Sequence, residues 1–325
     1  MAPYITQLEI DGLRGVAHGE LSRLAPLTVI VGPNSSGKTT VLESLQLADR
    51  GSSPDTLRAI MDRRGRLGHL SLTTLVPGAS STLTVTGAPG SARKHVLKLR
   101  ERRFEATIDG DAKPLWSATF ENGGLNTGQG NSTPPAVQLI ESGQPQADFS
   151  NFEALFTAID LAGRRDWLIE LMRPLLPGLK DLRILVPDNR ATVFVEDRVG
   201  RWPLAVAGDG FKRLFVMAAR LMEADVPLTL LEEPETYLHV GALKQVSKLF
   251  WQATKPTPDG LGRQLIITTH SLEYLDAQFL DATEDELARA AVVRLSLADG
   301  QLTSVTIPGP TVRELRAEIG EDLRR

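Results

Sequence analysis

A short apolar run, Leu27 to Val31, leads without interruption into Gly32-Pro33-Asn34-Ser35-Ser36-Gly37-Lys38-Thr39-Thr40, and helical spacing follows from Lys38 to Ala48. Few sequence features restrict a fold as tightly. The full G-x-x-x-x-G-K-T pattern between a buried strand and a helix is the layout of a phosphate-cradling loop. Its glycines let successive backbone N–H groups turn toward phosphate oxygens, and the helix start adds partial positive charge. Lys38 is expected to neutralise the β and γ oxygens of a nucleotide, and Thr39 to ligate Mg²⁺ through its hydroxyl. The chain is therefore expected to take ATP with Mg²⁺ at Gly32, Pro33, Asn34, Ser35, Ser36, Gly37, Lys38, Thr39 and Thr40.

Two later strands end in groups that complete such a site. Leu228 to Leu231 is apolar and delivers Glu232 and Glu233 at its end, followed by Pro234 and Glu235. Two acids at a strand end can divide the work, Glu232 holding the metal shell and Glu233 orienting or deprotonating the attacking water. Leu265 to Thr269 is a second buried strand, ending in His270, which is placed to reach a γ-phosphate, with Ser271 able to cap the following helix. A lone histidine is more often structural, and only its order and distance relative to the other two motifs point to catalysis.

The three segments GPNSSGKTT, LLEEPETYLH and IITTHS, with the opening ITQLEIDGLRGVAHGEL, resemble ABC-type ATPases related to RecF, SMC and overcoming-lysogenization-defect (OLD) proteins. The resemblance covers about Ile5 to Arg50 and Leu204 to Leu275. It implies an α/β P-loop head with a mixed central sheet, an N-terminal antiparallel β lobe and a helical signature segment. It also implies two heads closing around two nucleotides, a homodimer or higher oligomer with composite ATP sites. The matching signature segment is Ala207-Gly208-Asp209-Gly210-Phe211-Lys212-Arg213. Gly208 and Gly210 precede a helix with apolar Phe211, Leu214, Phe215, Ala218, Leu221 and Met222, so that helix start could bind phosphate. The segment departs from the transporter form Leu-Ser-Gly-Gly-Gln, Asp209 puts a negative charge where phosphate would approach, and a plain glycine turn before a core helix fits it as well. Arg14 matches an arginine that relatives place near the nucleotide, and an exposed arginine in a strand turn is an equal reading. Gln138 corresponds to a glutamine that relatives use to sense Mg²⁺, and a solvent-facing glutamine is the competing reading.

Around these motifs the chain is read as one head with two lobes, 1–135 and 136–325. After a helix starting at Pro54, strands are expected at Ser81 to Thr86, Lys94 to Leu99 and Arg103 to Ile108, forming an antiparallel β lobe. Glu121 to Ser150 is rich in Gly, Asn, Gln and Pro and reads mainly as loop, with one strand at Ala136 to Ile140. Helices are expected at Phe152 to Leu161 and Arg165 to Leu175, then strands at Leu182 to Val186 and Thr192 to Val195.

Composition limits the partners. The net charge of −4 and pI near 5.8 give no global attraction to nucleic acid or to anionic membrane. A basic cluster, Arg93, Lys94, Lys98, Arg100, Arg102 and Arg103, could meet DNA phosphates, but its interspersed acids also fit a solvated sheet face. There is no cysteine, which excludes thiolate chemistry and disulfides, and no apolar run reaches the length of a membrane span, so a cytoplasmic protein without membrane contact is expected. No heptad array is present, unlike the long-armed relatives. Only about fifty residues follow His270, too few for the nuclease domain of OLD proteins. The expected role is ATP hydrolysis coupled to head dimerisation, controlling a separately encoded DNA-acting or phage-defence effector. A transporter motor and an ATP-gated scaffold without turnover are the alternatives.

Overall fold

The computed structural model describes residues 3–63, 73–87, 92–111, 113–121, 124–128, 130, 133–141, 151–223, 226–236, 238–256 and 262–324. The N-terminal wing is antiparallel. β1 (Ile5–Leu13) pairs with β2 (Val16–Ser22) on one side and with β4 (Ser80–Gly87) on the other, after β3 (Leu27–Val31) has left for the centre of the molecule. The wing continues outward through β5 (Ala92–Arg100), β6 (Arg103–Ile108), β7 (Trp116–Glu121) and β8 (Gly124–Thr127). Alternation along these strands puts one side in the core and one in solvent: in β4, Ser81, Leu83 and Val85 are buried while the residues between them are half-buried.

The other half of the sheet is parallel. β9 (Val137–Glu141), β13 (Leu228–Glu232), β14 (Gln264–Thr268), β3 and β15 (Ala290–Ala298) run side by side in register. β16 (Gln301–Pro308) returns antiparallel to β15 and then lies parallel to β2, which joins the two halves. Among the described residues this makes one 13-stranded sheet, in the order β8-β7-β6-β5-β4-β1-β2-β16-β15-β3-β14-β13-β9. The wing and the parallel half thus share a sheet, and the division at residue 135 falls just before β9, which pairs with β13 of the later segment. A separate three-stranded sheet holds β10 (Asp181–Leu185), β11 (Thr192–Glu196) and β12 (Arg201–Pro203).

Both faces of the parallel strands are covered, which explains their near-continuous apolar composition. On one face Leu27, Val29, Val31, Leu231, Leu265 and Ile267 pack with helices α3 (Phe152–Leu161), α4 (Arg165–Met172), α5 (Asp209–Glu223), α6 (Val240–Thr254) and α7 (Leu272–Phe279). On the other, Ile30, Leu228, Leu230 and Ile266 pack with α1 (Lys38–Leu47), α2 (Pro54–Arg63) and the wing. Each fully buried leucine or isoleucine contributes about 1.5–3 kcal/mol, so the two cores fix the strand ends that carry the site far more firmly than any loop contact could. Within the wing, Phe104 and Trp116 stack at 5.6 Å, and Trp116 Nε1 donates to Ser52 Oγ at 3.0 Å, tying the wing to the loop before α2. Two short helices, α8 (Glu284–Leu287) and α9 (Gly309–Glu314), flank β15 and β16.

Several expectations are adjusted. Helix α4 stops at Met172 rather than Leu175: Pro174 has no N–H to donate four residues back, and the Leu175 and Leu176 amides bond only three residues back, to the Met172 and Arg173 carbonyls at 3.0 and 3.2 Å. The stretch expected to be loop contains β8 and the end of β7, while residues 142–150 lie outside the described set. The basic cluster is not one surface. Arg93 is half-buried with its guanidinium 5.8 Å from the centre of the Tyr4 ring, whereas Lys94 and Arg103 are exposed and face Asp109 at 3.9 Å and Glu105 at 2.9 Å.

Candidate functional site

The parallel register brings the motif-bearing strand ends into line. Leu231 stands beside Ile267 and Ile267 beside Val29; one residue on, Glu232 stands beside Thr268 and Thr268 beside Ile30. The chain leaves these ends as the loop Gly32 to Gly37, as Glu232 and Glu233, and as Thr269 and His270. This is the crevice beyond the carboxyl ends of parallel strands where ligands of open α/β sheets bind. A cavity of about 420 Å³ opens there, lined by Arg14, Gly15, Asn34, Ser35, Ser36, Gly37, Lys38, Thr39, Thr40, Glu232, Glu233, Thr268, His270 and Leu297.

The loop has the backbone that phosphate cradling requires. Gly32 and Gly37 have φ of +152° and +91°, and a Cβ at Gly32 would come 2.5 Å from the Leu295 carbonyl oxygen. Gly37 caps α1 with no side-chain hydrogen bond, so no side chain occupies the first-turn amides. Lys38 is buried and its Nζ donates to the carbonyls of Gly32 at 2.9 Å and Pro33 at 2.8 Å. Burial lowers its pKa, and the Glu233 carboxylate works in the opposite direction. A buried ammonium folded back on two loop carbonyls, beneath uncapped amides, fits a polyanionic phosphate chain.

Beside it, Thr39 Oγ1 donates to Glu232 Oε1 at 2.9 Å. A hydroxyl and a carboxylate in contact at a phosphate loop are hard oxygen donors of the kind Mg²⁺ takes. Glu233 follows in a left-handed conformation, φ 45°, which costs a non-glycine residue energy and turns its carboxylate toward His270, whose Nε2 lies 3.2 Å from Glu233 Oε1. Burial lowers the His270 pKa, the Lys38 charge and the Arg324 charge add to that, and Glu233 opposes it. His270 is thus biased to the neutral imidazole.

Arg14, in the β1–β2 turn at φ 52°, is half-buried rather than exposed, and its guanidinium pairs with the fully buried Glu43 of α1, one bond being 3.1 Å from Nη2. Arg14 therefore lines the cavity from a fixed position. Gln138 is a correction. It lies on β9 opposite Thr229, three residues back from Glu232 along the neighbouring strand, and its Nε2 donates to Thr229 Oγ1 at 2.8 Å and to the Arg220 carbonyl at 3.4 Å. The register places it away from the Thr39–Glu232 pair, and it does not line the cavity. Gly208 and Gly210 are likewise not brought to this loop. They sit at the start of α5, beside a separate cavity of about 390 Å³ that also includes Trp202, Phe211 and His239, where Asp209 pairs with Lys212 at 2.8 Å.

Residues without a sequence assignment complete the site. Glu235, within the second motif, accepts from the Thr269 hydroxyl and from the His270 amide at 3.3 Å; burial raises its pKa, and its Oε2 is buried without a hydrogen bond. Glu43 holds Arg14, and Leu297 adds an apolar wall. Glu235 sat in a conspicuous motif; Glu43 and Leu297 carried no local signal.

A mixed sheet with a phosphate loop, an acid-bearing strand and a histidine-bearing strand at its carboxyl edge is the fold of ABC-type P-loop heads. Solved structures agree in fold. The SMC head domain of Thermotoga maritima superposes with a TM-score of 0.54 at 14% identity, covering 94% of this chain and 98% of that one. The Pyrococcus furiosus Smc head domain, bound to the C-terminal domain of ScpA, gives 0.56 at 14%, covering 98% and 100%. An Smc head bound to the C-terminal winged-helix domain of ScpA gives 0.58 at 15%, covering 94% and 98%. Comparison with curated proteins yields no match. The family model described as "AAA domain, putative AbiEii toxin, Type IV TA system" matches residues 27–276, and the chain belongs to that family.

Proposed function

We propose that this chain binds ATP with Mg²⁺ and hydrolyses it to ADP and phosphate, using the cycle to bring a pair of heads together and release them, and so to control a separately encoded effector. The observation that carries the reading is the meeting of Thr39, Glu232, Glu233 and His270 at one uncapped phosphate loop. Lys38 offsets the charge of the β and γ phosphates, and Thr39 with Glu232 holds the metal. Mg²⁺, when bound, would neutralise charge on the β and γ phosphates as ADP departs. Glu233 orients the attacking water and accepts its proton, and His270 holds the Glu233 carboxylate in place. Arg14 closes the cavity wall.

Gly208 and Gly210 serve the nucleotide of the partner head, which accounts for their separation from the phosphate loop of their own chain. The effector reading draws on the family description, which names a toxin–antitoxin system, and on the two SMC heads seen with ScpA domains. The split basic cluster leaves DNA a lesser place among the partners. Sedimentation velocity of Glu233→Gln with and without Mg²⁺-ATP tests the coupling. An ATP-dependent shift from one head to two supports it, and an unchanged profile with nucleotide bound overturns it.

A further inference from the structure

His270 is held at three points. Its ring faces Glu233, its amide donates to Glu235, and its carbonyl oxygen accepts a bond of 3.0 Å from Nη1 of Arg324. The first two contacts come from the β13 edge. The third comes from 54 residues further along the chain.

The C-terminal segment is built to present that guanidinium. Leu323 is fully buried and anchors the segment in the core beside α7. Arg316 holds Asp276 of α7 with two bonds, 2.7 and 2.9 Å, and donates to the Glu321 carbonyl at 2.6 Å, fixing the turn that follows. Asp322 then takes Nε and Nη2 of Arg324, both at 2.8 Å, in the fork geometry that fixes a guanidinium plane. With those donors occupied, Nη1 points at His270. The loop it grips has its own internal bracing, since the Ser271 amide donates to Thr269 Oγ1 at 3.0 Å and Ser271 caps α7. The peptide before His270 is held through its N–H by Glu235, and the peptide after it through its carbonyl by Arg324 and through the Ser271 N–H by Thr269 Oγ1, so both planes flanking the His270 Cα are fixed and the imidazole stays within reach of Glu233.

We infer that Arg324 is a positioning residue for His270, through which the C-terminal segment sets the rate of the reaction at the phosphate loop. The inference rests on the ATPase reading above. A guanidinium bond to a backbone carbonyl is worth enough that its loss, expressed through a loosened His270, is expected to lower turnover about tenfold.

The test uses the full chain. Arg324→Ala should lower kcat about tenfold with ATP affinity unchanged, and Arg324→Lys, which keeps one donor, should recover much of the loss. In a His270→Ala background, Arg324→Ala should cost nothing further. Arg313→Ala is the control; Arg313 belongs to the same segment but bonds the Ala282 carbonyl and Glu284, and turnover should be unchanged. An unaltered kcat in Arg324→Ala, or an equal tenfold loss in the His270→Ala background, overturns the inference while leaving the ATPase reading intact. If the wild-type chain shows no turnover, the ATPase reading fails on its own. Amide hydrogen exchange at residues 269–272 then decides the clamp: faster exchange in Arg324→Ala than in Arg313→Ala upholds it, and equal rates overturn it.

Discussion

Thr39 and Glu232 stand 193 residues apart in the sequence and share a hydrogen bond of 2.9 Å, from the threonine hydroxyl to the carboxylate. The pair exists because β3 and β13 flank β14 in parallel register, so the loop after one and the acid ending the other face each other. If these two oxygens form the metal seat, Thr39→Val and Glu232→Gln should each weaken ATP affinity about tenfold or more with Mg²⁺ present. Neither should change affinity appreciably in EDTA. Isothermal titration under both conditions checks this, and equal losses with and without metal would refute the pairing as a metal seat.

Lys38 is buried against the Gly32 and Pro33 carbonyls, a bonding that a phosphate chain would replace. Lys38→Ala should weaken ATP binding about a hundredfold, the worth of one or two charge-assisted bonds. The apo protein should lose little stability, about 1 kcal/mol or less, because water can reach the freed loop carbonyls. Thermal melts and titration separate the two effects.

His95 gives a pH signature unrelated to the site. It is 1% exposed on β5, neither ring nitrogen has a hydrogen bond, and burial, with the Arg93 and Arg50 charges, lowers its pKa to about 4. The unfolded chain protonates this group near 6.5 and the folded chain does not, so its contribution is fully present above pH 6.5 and is lost as pH falls toward 4. The loss is on the order of 3 kcal/mol across that window. Denaturant melts at pH 7 and pH 4.5 should show a smaller drop for His95→Leu than for the wild type. Identical drops would mean that His95 titrates alike in both states.

A shared site makes a distinctive prediction for mixtures. Gly210→Arg should retain ATP binding in single heads, because the phosphate loop lies in a different cavity, but lose ATP-dependent association and turnover. Mixed with Lys38→Ala, which keeps an intact Gly210, one composite site per heterodimer is whole, and partial turnover should return. Normal turnover by Gly210→Arg as a monomer would show that the site is complete within one chain.

The strand, loop and helix from Leu27 to Leu47 were legible because the information is contiguous: an apolar run, two glycines at turning points and a helix that starts directly after the second. Glu232, Glu233 and His270 were legible because each ends a short apolar strand, a local mark of a buried parallel sheet. Gln138 was not, since its distance from Glu232 depends on the β9–β13 register, which no local pattern encodes. The same applies to Arg93 and Lys94: alternation says they point to opposite sides, but only the packing of α1 and α2 decides which side is wet. Arg324 was invisible for a third reason. Its partner is a backbone carbonyl, which every residue has, so nothing in the sequence of either segment marks the contact.

If Glu233 activates water at this loop, multiple-turnover phosphate release reads that step out. Wild-type protein with Mg²⁺-ATP should release many equivalents of phosphate per chain. Glu233→Gln should bind Mg²⁺-ATP with wild-type affinity and release phosphate roughly 10² to 10⁴ times more slowly, the usual contribution of a positioned base. Phosphate release by Glu233→Gln at the wild-type rate, with nucleotide bound, would contradict the account.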